Sequence, residues 1–239
     1  MTEQMENEVQ SVEKMGFMTK ATRLITDPQS MFENLRLHPD WLLPVLVGIL
    51  VTIAFAFLIS DVMFEFQKDA IYENSMIPEE FKDVAIEQME NKTVMRRNIE
   101  TVAGSLIQVF LVYLIGAGAF FLVGNFFMGG QAKFKQLFSL FSWVGLIGVL
   151  EMGLKLPLIL SKGSMHVYTS LAVLMDLADK KTVLFSILNA FDVFMIWKVI
   201  LWSIGMSVIY QFSRAKGYTA VISLYVIFIA ISAGLGQLF

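Results

Sequence analysis

The chain has 239 residues, 56% hydrophobic and 16% charged, and 18 basic against 21 acidic side chains leave a net charge of −3. Soluble domains carry about 25% charged residues, so a water-soluble globule is excluded. The absence of cysteine excludes a disulfide scaffold, thiol chemistry and thiolate-bound metal. The acidic balance also argues against nucleic acid, whose binding proteins present a basic face.

Residues 1–13 (MTEQMENEVQSVE) are acidic and poor in large apolar groups, which predicts disorder. From Met15 to Ile25, Phe17, Met18, Ala21, Leu24 and Ile25 recur at helical spacing, with Lys20 and Arg23 on another face. This fits an interfacial amphipathic helix, or a cytoplasmic helix packed on the membrane domain. Asp27-Pro28 reads as an N-cap followed by proline at the first helical position. The helix it opens is expected to bury Met31, Phe32 and Leu35.

Uncharged runs occupy Trp41 to Ser60, Thr101 to Ala132 and Gly217 to Phe239, each long enough for the roughly 20 residues that cross a bilayer. The predicted spans are 42–60, 102–128, 137–159, 183–209 and 218–238, with an apolar stretch at Val167 to Leu177 that could lie along or re-enter the membrane. The fold class is therefore all-α, a polytopic membrane helix bundle of five transmembrane helices. Residues 1–41 form a cytoplasmic tail and 42–239 the membrane domain. Span one begins after 40 mostly polar residues and is expected to be an anchor rather than a cleaved signal.

Two short loops carry Lys133 and Lys135, and Arg214 and Lys216, with no acid between them. The positive-inside rule places both in the cytoplasm, and with them the N-terminus. Residues 61–100, with ten acids and five bases, then form an acidic extracytoplasmic helical insertion. Pro78-Glu79-Glu80 opens a helix there whose Phe81, Val84, Ala85 and Met89 are expected to share an apolar face. That insertion either docks a partner or caps the bundle.

The sequences that catalysis requires are missing. There is no P-loop, H-E-x-x-H pair or G-x-S-x-G elbow, and Gly116-Ala117-Gly118 lies inside an uncharged span, where close helix packing explains it better than a dinucleotide. His38 and His166 fall on opposite sides of the membrane in this topology, so no shared metal is expected. No cofactor is expected either.

Ionisable residues inside spans are costly and turn toward the bundle interior. Glu151 and Lys155 form an i,i+4 pair. At about 1.5 Å per residue, Asp192, its i−3 neighbour Asn189, and Gln108 come to a similar depth. The expectation is one intramembrane polar cluster of Gln108, Glu151, Lys155, Asn189 and Asp192, in which one lysine facing two carboxylates would let one acid keep its proton. Such a cluster serves as a proton or ion relay, or as interhelical glue. Lys198 is assigned no role. Small residues at Gly48, Thr52 and Ala56, at Ser203 and Ser207, and at Ala230 and Gly234 allow close helix packing within the chain or in a homodimer.

Three segments resemble the Yip family of Ypt/Rab-interacting membrane proteins, in its bacterial branch. They are Asp27-Pro28 through Phe32 to His38-Pro39-Asp40-Trp41-Leu42-Leu43-Pro44; the loop Gly129-Gly130-Gln131-Ala132-Lys133-Phe134-Lys135-Gln136; and Trp197, Gly205 and the turn Ser213-Arg214-Ala215-Lys216. The resemblance covers about residues 27–239, although Phe141-Ser142-Trp143-Val144-Gly145 stands where the family usually has a proline. It implies five spans, a cytoplasmic N-terminus and no enzymatic activity. Eukaryotic members engage Rab GTPases in vesicle traffic, and some Gram-positive relatives accompany ABC-type exporters of antimicrobial peptides. The resemblance thus implies a multi-pass accessory protein of the cell membrane whose partners are lipid, ABC exporter subunits and a membrane-fusion adaptor. The alternative is a stand-alone transporter or channel that uses the Glu/Lys/Asp cluster.

Overall fold

The computed structural model describes residues 13–74, 76–175 and 182–235. The disorder expected for residues 1–13 lies outside them except at Glu13, whose carbonyl accepts from the Asn34 amide at 2.9 Å, and the last residues of span five lie outside as well. The described residues are helical and contain no strand beyond one isolated bridge between Ser170 and Asp192.

Helix α1 (Phe17–Thr26) runs into α2 (Pro28–Leu37) through Asp27, whose carboxylate accepts the Ser30 backbone N–H at 3.3 Å, with Pro28 in the first turn. This is the cap expected from the sequence. Helix α2 buries Met31, Phe32 and Leu35 completely. Helix α1 departs from its expected pattern: Lys20, placed by periodicity on the polar face, is fully buried beside Leu24, while Met18 and Ile25 are exposed. The reason is that α1 and α2 pack on each other and on α7 (Phe134–Gly145), so the buried stripe follows that contact rather than the apolar residues alone.

Among the described residues, four helical segments are long and apolar enough to cross a membrane: Val94–Phe127, Phe134–Lys162, Val193–Tyr210 and Arg214–Gly234. A fifth is reached if α2 and α3 (Leu42–Leu58), bent by 119° at the intervening break, count as one span. After α3 come α4 (Ser60–Glu73), α5 (Glu79–Glu90) and α6 (Val94–Leu122), which ends in a π-helical turn at Val123–Phe127. Helix α8 (Ile147–Lys162) follows α7, with Pro157 inside it.

The expected span 183–209 is corrected. It consists of α9 (Val183–Ala190) and α10 (Val193–Tyr210), separated at Phe191 and Asp192 because the Asp192 side chain caps α10. Helix α11 (Arg214–Leu235) closes the described chain.

The chain divides into two compact units. The first contains the described residues up to Gly48, with Val109–Gly148 and Ile196–Ile227. Its core is large and aromatic: Trp143, Phe32, Leu137, Leu140, Leu201 and Met206 are almost wholly buried. Phe141 stacks on Trp202 at 4.6 Å between ring centroids, and Phe120 meets both rings edge-on. Gly116 makes room for this arrangement, since a methyl group there would overlap the Phe141 ring. Gly116 and the buried Ala117 thus take the close-packing role expected of the Gly116-Ala117-Gly118 run, whereas Gly118 faces open space.

The second unit contains Ile49–Gln108, Val149–Met195 and the described residues from Phe228. Its apolar cluster is small, with Ile59, Ile159 and Val167 buried against Phe55, Met63 and Leu156. Helix α5 lies against α4. The face expected for α5 is also corrected, because Lys82 and Ile86 are its buried residues while Phe81 and Val84 are exposed. Lys82 lays its apolar stem inward and delivers its ammonium to the Tyr72 carbonyl at 2.8 Å and to Glu79 at 2.6 Å.

Candidate functional site

The residues of the expected polar cluster all fall in the second unit. One helical turn on α8 separates Glu151 from Lys155, whose ammonium donates to Glu151 Oε1 at 2.7 Å and lies 3.7 Å from Asp192 Oδ2. The side chains of all three are largely buried. Asp192 Oδ1 accepts the backbone N–H groups of Phe194 at 2.8 Å and Met195 at 3.3 Å, which satisfies two donors otherwise orphaned in the first turn of α10. Its Oδ2 accepts the Thr169 hydroxyl. Glu151 and Asp192 thus each serve as acceptors in this network.

Asn189 reaches this neighbourhood by another route. The helix break at Phe191 removes the shared i−3 face expected from the sequence, and Asn189 instead accepts the Ser170 hydroxyl at 2.8 Å. Ser170 also forms the isolated bridge with Asp192, and the Leu171 N–H donates to the Phe191 carbonyl at 3.3 Å. The apolar stretch after α8 is thereby stitched to the α9–α10 junction, with a short 3-10 turn at Leu171–Leu174 packed on α9. Gln108 lies elsewhere in the unit, lining a cleft of about 690 Å³ with Ser60, Asp61, Arg97 and Ser105. Thr169 and Ser170 were not singled out from the sequence, where their only signal is a pair of adjacent hydroxyls inside an apolar stretch.

The expected basic loops fall in the first unit. Gly129, at φ 68°, turns the chain out of the π-helical segment. Asn125 clamps the loop by donating to the Ala132 carbonyl at 3.1 Å and accepting its N–H at 3.3 Å. The Lys133 N–H donates to the Gln136 side chain at 2.8 Å, and Gln136 donates onward to the Arg36 carbonyl at 2.7 Å. The Lys133 and Lys135 side chains are exposed. In the other loop Lys216 donates to the Met128 carbonyl at 2.8 Å and sits 4.1 Å over the Phe212 ring, while Arg214 donates to Gln29 at 2.9 Å. The Lys216 bond joins the two basic turns, which the sequence presents as independent.

A second charged constellation holds the tail. Lys20 Nζ lies 2.8 Å from Asp40 Oδ2, and the Trp143 indole N–H donates to Asp40 Oδ1 at 2.8 Å and to its carbonyl at 3.0 Å. Phe17 packs on the indole at 5.1 Å. Burial pushes the Lys20 pKa down, and the hydrogen bond to Asp40 opposes it only partly. Trp143 thus ties α7 to the residue that precedes Trp41 at the entry to α3.

Comparison with known families supports the resemblance read from the sequence. The family model of the Yip1 domain matches residues 22–236. No curated protein and no solved structure matches the chain at a significant level.

Proposed function

The chain belongs to the Yip1 domain family, and from that premise we propose that it is a non-enzymatic scaffold of the cell membrane. In this reading it assists a transport system, an ABC-type exporter with its membrane-fusion adaptor, in the export of antimicrobial peptides or toxins or in resistance to them. No cofactor, metal or nucleic acid takes part.

The observation that favours a scaffold over a transporter is the bonding of the polar cluster. A relay carboxylate must exchange partners as protons or ions pass. Asp192 instead holds the first turn of α10 through Phe194 and Met195, and Lys155 is paired with Glu151. The cluster therefore acts as glue between segments. Partner contact is left to exposed groups, namely Lys133 and Lys135 on the cytoplasmic side and the acidic segment 61–100 on the outer side.

The test is purification at native expression in mild detergent, followed by quantitative mass spectrometry. Co-enrichment of an ATPase, a permease and an adaptor is expected. Recovery of the chain alone contradicts the reading. The alternative of a stand-alone transporter rests on the same Glu151, Lys155 and Asp192, and proteoliposome flux abolished by Asp192→Asn would favour it instead.

A further inference from the structure

The first unit contains a cavity of about 900 Å³ that the scaffold reading does not use. Three guanidinium groups line it: Arg23 from α1, Arg36 from α2 and Arg214 at the start of α11. Arg23 and Arg36 are half-buried and Arg214 is exposed. Two acids also line it, and each is held locally: Asp27 caps α2 through the Ser30 N–H, and Glu33 accepts from Gln29 at 3.2 Å. Arg23 donates one of its N–H groups to Ser30 at 2.7 Å, and Arg214 gives one to Gln29, out of the five that each guanidinium carries. Three arginines against two locally held acids leave this concave wall with a positive balance that attracts an anion, and the planar guanidinium fork matches phosphate oxygens.

Two further features point to a lipid. The remaining wall includes Ile204, Val208, Phe212 and Leu37, an apolar flank that a free anion does not need. The cavity also includes residues of the turn between the candidate spans Val193–Tyr210 and Arg214–Gly234, and a turn between two spans lies at the depth of the headgroups. Gln211, in that turn, holds φ at 55°, a left-handed conformation that a non-glycine residue seldom adopts and that clusters at functional sites. Helix α11 starts beside it, with its positive dipole end at the cavity.

We propose that this cavity binds the phosphate headgroup of an anionic phospholipid, through Arg23, Arg36 and Arg214, with an acyl chain along Ile204 and Val208. The same phosphate chemistry could come from a soluble ester, and the experiment separates the two sources. Full-length protein is titrated in neutral detergent with phosphatidylglycerol, with phosphatidylcholine of identical chains, and with glycerol 3-phosphate, and binding is read by native mass spectrometry.

The expected result is about a tenfold preference for phosphatidylglycerol over phosphatidylcholine, because both carry the phosphate but the choline cation of the latter is repelled by the arginines around it. Millimolar glycerol 3-phosphate should not compete. The Arg23→Gln/Arg214→Gln variant should bring the preference close to unity. Val208→Trp, which fills the cavity and leaves every arginine in place, should do the same and covers the case in which the double variant does not fold. Lys162→Gln, an exposed lysine that does not line the cavity, should leave the preference unchanged. Equal binding of both lipids, displacement by glycerol 3-phosphate, persistence of the preference in Val208→Trp, or its loss in Lys162→Gln would each overturn the proposal.

Discussion

The two units of this membrane protein are held together by different means. In the first, rings and aliphatic side chains are buried around Trp143, Phe141 and Trp202, and its charges serve as pins at the edge of that core. In the second, the apolar cluster is three buried aliphatic residues, with Ile86, Ala172 and Phe185 buried separately, and hydrogen bonds tie segments together, from Lys155 to Glu151, from Thr169 to Asp192 and from Ser170 to Asn189. The first unit is thus the one whose stability should depend on side-chain volume, and the second the one that should depend on polar identity. Substitutions that exchange these properties test the contrast.

The largest expected effect is Trp143→Ala. It removes a buried indole and both of its bonds to Asp40, and should cost about 3–5 kcal/mol, read as a loss of thermal stability in detergent. A variant that melts with wild type would show that the first unit is not governed by packing. Next comes Asp40→Ala, which strands the buried Lys20 ammonium. Because Asp40 itself is partly exposed, the expected cost is about 2–3 kcal/mol. Lys20→Met replaces the charge with an apolar chain of similar length and should be close to neutral.

In the second unit Asp192→Ala should cost about 1–2 kcal/mol, because the cap on α10 is lost. Asp192→Asn keeps an equally good capping oxygen and should cost less than about 1 kcal/mol. If asparagine proves as damaging as alanine, the ion pair with Lys155 and not the cap holds this junction.

The smallest effect is on pH dependence. The unfolded chain keeps the proton on Lys20 up to its ordinary pKa of 10.5, whereas burial makes the folded chain release it earlier. Between the lowered pKa and 10.5 the unfolded state binds more protons, so stability rises with pH in that window. Wild type should therefore gain on Lys20→Met as pH climbs toward 10.5, seen as converging or crossing melting curves. A gap that widens against wild type contradicts the burial of this amine.

Much of the helical frame was legible because its signals are long and redundant. The uncharged run from Thr101 to Ala132 could hardly be anything but a span, and Asp27-Pro28 marked a helix start that the structure reproduces. The pair Glu151 and Lys155 was legible from i,i+4 spacing alone. The break before α10 was not, because apolar residues flank Phe191 and Asp192 on both sides and a capping aspartate looks like an intramembrane charge.

Lys20 was misplaced, and the burial of Lys82 was not foreseen, for a shared reason. Periodicity assigns a lysine to the polar face, but a long stem whose ammonium meets well-placed acceptors can be buried. Thr169, Ser170 and Asn125 act through tertiary contacts that have no period to read.

The two basic turns must face the cytoplasm together for a partner and the proposed headgroup cavity to be within reach there. The chain has no cysteine, so single Lys135→Cys and Ala215→Cys variants report sidedness without background. Labelled with a membrane-impermeant maleimide in intact cells and after lysis, both should stay unmodified until the cells are opened. Modification of either one from outside would contradict the account.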